Sequence, residues 1–175
     1  MLEQIRDIEQ SLPFPTLGFD CDNGSEFLNH HLVRYFQKRP MPVGFTRSRP
    51  YHKNDNAHVE QKNWMTVRHL LGYERFEQPT LAPLINTLYR SCWEPLVNCY
   101  HPVCKLVRKE RLGARYRKRY DQAATPAHRL LRHADLTHEN RQRVLRAQGQ
   151  NPYHLKRELE RRLKSIFTQL RCPPF

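Results

Sequence analysis

A short apolar run that ends in an acidic turn constrains the fold of this 175-residue chain more than any other feature. Residues 14–22 are apolar and bounded by prolines, which predicts a β-strand. Asp22, Asn23 and Gly24 follow in order, and this combination favours a tight turn at the end of a strand. Apolar side chains spaced by four residues then predict an amphipathic helix over 27–39. An α/β unit is therefore expected in this part of the chain.

A second carboxylate, Glu60, lies 38 residues after Asp22. It falls in a helix predicted over 55–71, which follows a short strand predicted over 42–47 and a polar loop. The inward face of this helix is expected to hold Trp64, Val67, Leu70 and Leu71. Hard divalent cations such as Mg²⁺ take oxygen ligands and usually one or two carboxylates. A two-metal phosphoryl-transfer site needs such acids to converge from separate elements. The two residues are therefore candidate metal ligands.

The motif Asp22–Phe27 and the run 49–60 together resemble the DDE family of retroviral-type integrases and bacterial insertion-sequence transposases. The resemblance covers most of residues 12–72. It implies a ribonuclease-H-like fold, with Asp22 as the second and Glu60 as the third catalytic acid. Both would ligate Mg²⁺ or Mn²⁺. The implied activity is DNA integration by metal-dependent phosphodiester transesterification.

The first acid of the family pattern has no counterpart in this sequence. The spacing of Leu2, Ile5 and Ile8 predicts a helix at the start of the sequence. The resemblance implies that the strand with the first acid comes before this helix. Asp20 shares a strand with Asp22 and cannot supply a ligand from another strand. The sequence thus predicts a fragment that binds metal weakly and is inactive alone. It would depend on a missing N-terminal part or on a second copy. The alternative is a non-enzymatic DNA-binding remnant or a partner in a transposase assembly.

Charge is distributed unevenly along the chain. Residues 1–80 hold 10 Lys/Arg and 10 Asp/Glu, whereas residues 81–175 hold 20 Lys/Arg and 7 Asp/Glu. A sustained basic excess predicts a polyanionic partner, here DNA. We expect a partial catalytic core over 1–102, of α/β class with its opening strands missing. A basic, mainly α-helical region is expected over 103–175, with helices that start at Thr125, Thr137 and Asn151. Before this region, Pro95 should kink or end a helix.

The most basic stretch, 105–119, is interpreted as a linker that contacts DNA. It carries eight Lys/Arg against the single acid Glu110, with Tyr116 within it and Tyr120 next to it. Stacking of these tyrosines on unpaired bases and ordinary buried or surface roles both remain open. Three further residues near Glu60 are predicted to contact DNA. The complete set of predicted DNA-binding residues is Lys53, Asn63, Arg68, Arg108, Lys109, Arg111, Arg115, Arg117, Lys118 and Arg119.

The remaining features narrow the class of protein. No run of 18 or more apolar residues exists and the first residues lack an apolar signal region, so no membrane partner is expected. A bacterial cytoplasmic protein associated with the nucleoid is predicted. The five cysteines are odd in number and lack paired spacing, which favours reduced thiols. Cys99, His101 and Cys104 would give only three of the four ligands that a structural zinc site needs.

Overall fold

The computed structural model describes residues 2–21, 30–49, 52, 55 and 57–171. Contacts divide the chain into two compact units, Met1–Glu74 and Arg75–Phe175, and each is described by itself. Helix predominates over two small sheets, so the chain is a mixed α/β protein. The sequence instead favoured a division after residue 102. The contacts divide the chain earlier because the helices over 81–100 pack against the last helix.

The first unit begins with helix α1 (Leu2–Ser11), strand β1 (Gly18–Cys21), helix α2 (His30–Gln37) and strand β2 (Gly44–Arg47). The two strands are parallel, and Phe19 is paired with Phe45. Parallel neighbours require a crossover connection, and α2 lies within it. The predicted order of helix, strand, helix and strand is confirmed for the described residues.

Aromatic and aliphatic side chains form the core of this unit. Ile5, Leu32, Phe36 and Val43 are buried together, and Phe36 is completely inaccessible to solvent. The ring centroid of Phe19 lies 5.0 Å from that of Phe36, so β1 packs directly on α2. Burying a phenylalanine side chain stabilises a fold by roughly 1.5–3 kcal/mol. The spacing of apolar residues by four in the sequence thus corresponds to a real buried face.

The helix that carries Glu60 is irregular. Helix α3 (Ala57–Asn63) continues into a π-helical turn (Trp64–Arg68) and then α4 (His69–Leu71). It ends at Gly72, whose φ of +70° is the left-handed conformation that glycine adopts without strain. The sequence predicted Trp64, Val67, Leu70 and Leu71 on the inward face. This prediction is wrong for Trp64 and Val67, which are 56% and 37% exposed. The π-helical turn breaks the 3.6-residue period on which the prediction depended.

The second unit opens with α5 (Leu81–Leu88), a π-helical turn (Tyr89–Trp93) and α6 (Glu94–Tyr100). The sequence predicted that Pro95 would kink or end this helix. The helical path instead continues through Pro95, which lies in the first turn of α6. The backbone N–H of Glu94 donates to the carbonyl of Tyr89, five residues earlier. Pro95 has no N–H to donate to the preceding turn, and the π-helical turn directly before α6 is an irregularity that lets the helical path continue past it.

Three capped helices close the chain, and all three predicted starts are confirmed. Thr125 accepts a hydrogen bond from the backbone N–H of His128 at the start of α7 (Pro126–Leu131). Thr137 does the same for α8 (His138–Gln148), and Asn151 for α9 (Pro152–Arg171). Leu155, Leu159 and Ile166 form the buried stripe of α9. Within the described part of the chain, no helix combines the length and apolar character that crossing a membrane requires.

The stretch predicted as a linker is a β-hairpin. Strands β3 (Leu106–Leu112) and β4 (Arg115–Tyr120) pair antiparallel, and Leu112 lies opposite Arg115 across a two-residue turn. Gly113 in this turn has a φ of +61°, which suits the twist of a tight hairpin. The linker prediction was wrong because the strands lack a buried face and therefore lack an apolar alternation. The region after residue 103 contains this hairpin as well as the predicted helices.

Candidate nucleic-acid interface

The hairpin β3–β4 exposes both of its faces to solvent. Every residue of β4 is exposed, and in β3 only Glu110 is partly buried. A two-stranded sheet without a packed face gains little stability from burial. The composition of the hairpin is therefore not explained by a core. Its side chains are instead open to solvent on both faces.

Strand register sorts these side chains into two faces, because directly opposed residues share a face and alternate residues change face. The arginine face consists of the opposed pairs Arg108 and Arg119, Glu110 and Arg117, and Leu112 and Arg115. The tyrosine face consists of the opposed pairs Leu106 and Tyr120, Lys109 and Lys118, and Arg111 and Tyr116. A register shift between Leu106 and Arg108 keeps Leu106 on the tyrosine face.

Like charges oppose one another on both faces. Arg108 lies opposite Arg119, and Lys109 lies opposite Lys118. Such pairs destabilise an antiparallel sheet. Glu110 offsets part of the repulsion on the arginine face through an ion pair with Arg108. On the tyrosine face no acid is present. A bound polyanion would relieve the repulsion on both faces, since it supplies negative charge beside each cation.

The root of the hairpin is fixed to α7. The Arg129 guanidinium donates to the Asp121 carboxylate at 2.6 Å and to the Val103 carbonyl at 2.8 Å. The backbone N–H of Lys105 donates to the other Asp121 oxygen, also at 2.6 Å. The hydrogen bonds from Arg129 and then Lys105 hold the pKa of Asp121 below its ordinary value. Sequence reasoning missed this contact, which joins elements that only the fold brings together.

The predicted catalytic acids are described only in part. Glu60 lies exposed in the first turn of α3, whereas Asp22 falls outside the described residues. Asp20 is engaged across the sheet, because the Thr46 hydroxyl donates to its carboxylate at 2.7 Å. Over the residues that the structure describes, no group of three or more His, Cys, Asp or Glu is arranged to hold a metal ion. Asp22 lies outside that part of the chain, so the assignments of Asp22, Glu60 and Mg²⁺ or Mn²⁺ stay predictions.

The three predicted DNA contacts near Glu60 differ in what the structure says of them. Lys53 lies outside the described residues. Asn63 is exposed at the end of α3, one helical turn after Glu60. Arg68 donates to the Gly72 carbonyl at 3.4 Å and lies 4.9 Å from the ring centroid of Tyr73. Arg68 therefore has a local role at the helix end, and its contact with DNA stays a prediction.

The seven predicted residues over 108–119 are brought together on the hairpin. Arg108, Arg115, Arg117 and Arg119 share the arginine face, and Lys109, Arg111 and Lys118 share the tyrosine face. Lys105 lies next to the Asp121 contact at the root. The sequence identified the residues correctly as one basic cluster. It did not predict their division into two faces, which depends on the strand register.

Comparison with known proteins identifies a relative of part of this chain. The chain is 40% identical over 125 residues to the uncharacterized protein y4rM of Sinorhizobium fredii (strain NBRC 101917 / NGR234). The match covers 71% of this chain and 34% of y4rM, so the matched part spans about a third of that protein. No model of a protein family matches the chain, and no solved structure matches it significantly.

Proposed function

We propose that this chain is a DNA-binding part of a DDE-type transposase or integrase, and that it grips DNA through the hairpin β3–β4. The observation that carries the proposal is the anchored hairpin itself. It presents seven Lys/Arg to solvent against the single acid Glu110. Contacts of Lys and Arg with phosphates supply affinity that does not depend on base sequence.

The geometry of the hairpin suits duplex DNA. A two-stranded β-ribbon fits the width of the major groove, where phosphates flank it on both sides. Successive side chains on one face of a strand stand roughly 7 Å apart, so Arg115, Arg117 and Arg119 form a row of cations along β4. The contact between Asp121 and Arg129 at the root keeps the row attached to the helical part of the second unit.

The order of elements in the first unit supports the family assignment. The resemblance implies an acid at the end of a strand, a helix after it, and a later acid on a helix. In the chain, Asp22 directly follows β1 in sequence, α2 lies in the connection to the parallel strand β2, and Glu60 lies in the first turn of α3. We extend this to a partial ribonuclease-H-like fold that other strands would complete. The proposed partners are therefore DNA and either a polypeptide that carries the remaining strands or a second copy of the chain.

No catalytic step is proposed for the chain by itself. Transesterification by two metals needs acids from three positions in the family pattern, and only Asp22 and Glu60 match. Asp20 is a poor substitute because it lies on β1, two residues before Asp22, and cannot supply a ligand from a separate element. The exposed hairpin favours the alternative in which the chain acts as a non-enzymatic DNA-binding component of a transposase assembly. Either role would place the chain at the bacterial nucleoid.

The test compares two variants that lose the same charge. The hairpin variant replaces Arg115, Arg117, Lys118 and Arg119 by Gln. The control replaces Arg146, Lys156, Arg157 and Lys164 by Gln, all exposed on α8 and α9. Affinity for unrelated duplexes is measured by fluorescence anisotropy over a salt series. The hairpin variant should bind all sequences more weakly and flatten the slope of log K against log salt by about 3–4.

The control variant loses the same charge outside the hairpin and should bind DNA more tightly than the hairpin variant. Equal weakening of DNA binding by both variants would mean that charge alone, and not the hairpin, determines binding. A strong sequence preference that survives high salt would contradict a phosphate-dominated interface.

A further inference from the structure

We infer that the tyrosine face of the hairpin binds unpaired bases beside a duplex, as at a frayed or single-stranded DNA end. The inference rests on the proposed DNA binding and specifies the form of DNA that the hairpin prefers. The two faces would then bind different parts of the DNA. The arginine face would contact duplex phosphates, and the tyrosine face would contact bases that have left the stack.

The exposure of the two tyrosines carries the inference. Tyr116 is 54% exposed and Tyr120 is 53% exposed. Both lie on one face of β4, four residues and so roughly 13 Å apart. The sequence left open whether these rings are buried, and the structure shows that they are not. An aromatic ring on a two-stranded ribbon contributes little to folding. We therefore interpret its exposure as a surface for a ligand.

The cations beside the rings define that ligand as a nucleic acid strand. Lys118 lies between the two tyrosines on β4, and Lys109 lies opposite Lys118. The Lys109 Nζ is 4.3 Å from the ring centroid of Tyr116. Lys109 thus covers one face of this ring, and a base stacked on the other face would have a cation near its own phosphate. Interleaved aromatic and basic side chains are the arrangement that proteins use for single strands.

The tyrosine face would distinguish unpaired bases from bases that are paired and stacked in a duplex. In a duplex the flat surface of each base is covered by its neighbours, and exposing it costs the energy of unstacking. An unpaired base at a DNA end presents that surface without this cost. Stacking on an aromatic side chain then strengthens binding by roughly five- to a hundredfold for each base. The arginine face has no aromatic residue and cannot make this distinction.

A protein partner is the competing ligand. Leu106 and Val107 are exposed beside Tyr120 and would suit an apolar surface. The tyrosine face, however, carries three cations, Lys109, Arg111 and Lys118, and no acid. Burying three unpaired cations against an apolar protein surface would be costly. Charge therefore favours an anionic strand that also offers flat rings.

The experiment measures the preference of the full chain for unpaired bases. Two probes are used in anisotropy titrations: a blunt duplex and the same duplex extended by a short single-stranded overhang. The unmodified chain should bind the overhang probe about tenfold more tightly or better. Replacing Tyr116 and Tyr120 together by Leu should abolish this preference and leave blunt-duplex binding unchanged. Replacing both by Trp should preserve it, because the indole ring also stacks.

A matched control and a competing ligand complete the design. Tyr153→Leu removes a tyrosine that is 63% exposed on α9, and it should alter binding to neither probe. Poly-glutamate serves as an anionic polypeptide without bases. Binding of poly-glutamate with the same dependence on Tyr116 and Tyr120 would overturn the inference in favour of a protein partner.

The outcomes separate this inference from the proposed function. Equal affinity of the unmodified chain for both probes, with salt-dependent duplex binding intact, would overturn the inference alone. Failure to bind either probe would overturn the proposed function. Loss of blunt-duplex binding in the Leu variant would also overturn the inference, since the tyrosines would then support the hairpin and not contact bases. Hydrogen exchange of the hairpin amides in the same variant would show that loss of structure directly.

Discussion

The Arg129 guanidinium on α7 lies 2.6 Å from the Asp121 carboxylate, at the root of the hairpin. Both side chains are mostly shielded from solvent, with 22% and 28% of their surfaces exposed. Asp121 also accepts from the backbone of Lys105, which directly precedes β3. One carboxylate therefore joins the two ends of the hairpin to a helix. An exposed hairpin that lacks its own core would depend on such a connection to keep its orientation.

Replacing Asp121 by Asn should loosen the hairpin without unfolding the helices. The amide keeps the shape of the side chain but loses the charge that strengthens the hydrogen bonds from Arg129. Amide hydrogen exchange over 106–120 should become faster, while exchange in α9 stays the same. Asp135→Asn is the control, because that side chain is 90% exposed and loses the same charge. If hairpin exchange were also faster in the control, the loss of net charge and not the loss of the Asp121 contact would explain the effect.

The same contact should depend on pH. The pKa of Asp121 is lowered in the folded chain, chiefly by the hydrogen bond from Arg129. A carboxylate with a lowered pKa stabilises the fold fully above its unfolded pKa, about 3.9, and loses that effect as pH falls through the folded value. Hairpin exchange, corrected for its intrinsic pH dependence, should thus be constant at neutral pH and accelerate only below about pH 4. Acceleration already near pH 6 would implicate a histidine instead.

The turn of the hairpin should be sensitive to a single methyl group. Gly113 has a φ of +61°, where an alanine is strained by about 1–2 kcal/mol. Gly113→Ala should therefore destabilise the hairpin and weaken DNA binding, although no charge changes. Gly149→Ala is a matched control because Gly149 has a φ of −73° at the end of α8. If Gly113→Ala bound DNA as tightly as the unmodified chain, the strained turn geometry at Gly113 would be contradicted.

The first unit offers a contrast between two aromatic residues. Phe36 is completely buried, whereas Trp64 is 56% exposed. Phe36→Ala should lower the free energy of unfolding by about 3–5 kcal/mol, because it leaves a cavity. Trp64→Ala should change it by less than about 1 kcal/mol, as for most surface positions. Urea denaturation followed by circular dichroism measures both. A large loss in Trp64→Ala would restore the original prediction that Trp64 belongs to the core.

Local signals in the sequence predicted the parts of the fold that local physics determines. Thr125, Thr137 and Asn151 mark helix starts because their side chains bond to backbone N–H groups two or three residues ahead. The apolar spacing over 27–39 predicted the face of α2 because burial follows the helical period. Such features need no information about distant residues.

The rest depends on relationships that the sequence does not display. The hairpin has polar residues on both faces and therefore no apolar alternation. Only the turn residue Gly113 and the strand-favouring residues Val107, Tyr116 and Tyr120 indicated strands. The exposure of Trp64 follows from a π-helical turn, for which no sequence signal was evident. The contact between Asp121 and Arg129 spans eight residues and a change from strand to helix. The two acids of the family motif were recognised by resemblance, and their convergence stays a prediction.

Metal binding by the chain should be weak. Asp22 and Glu60 supply at most two carboxylates, and Asp20 is bonded to Thr46. Mg²⁺ demands near-ideal octahedral geometry and gives up its water reluctantly, so affinity no tighter than about millimolar is expected. Isothermal calorimetry with Mg²⁺ and Mn²⁺ measures this directly. A tight isotherm with two sites would mean that a third acid of this chain completes the set.

Strand transfer by the isolated chain should be near background. Positioning by metal ions can contribute several kcal/mol to transition-state stabilisation, which corresponds to orders of magnitude in rate. The assay uses Mn²⁺, with and without a polypeptide that carries the acid-bearing strand implied by the resemblance. Joining that appears only with this polypeptide, and that Asp22→Asn or Glu60→Gln abolishes, would favour a split enzyme. Joining by the chain alone would contradict the prediction and make Asp20 the first candidate for the third ligand. No joining in either case, with DNA binding intact, would leave the chain as a DNA-binding component, because the hairpin does not depend on the acids.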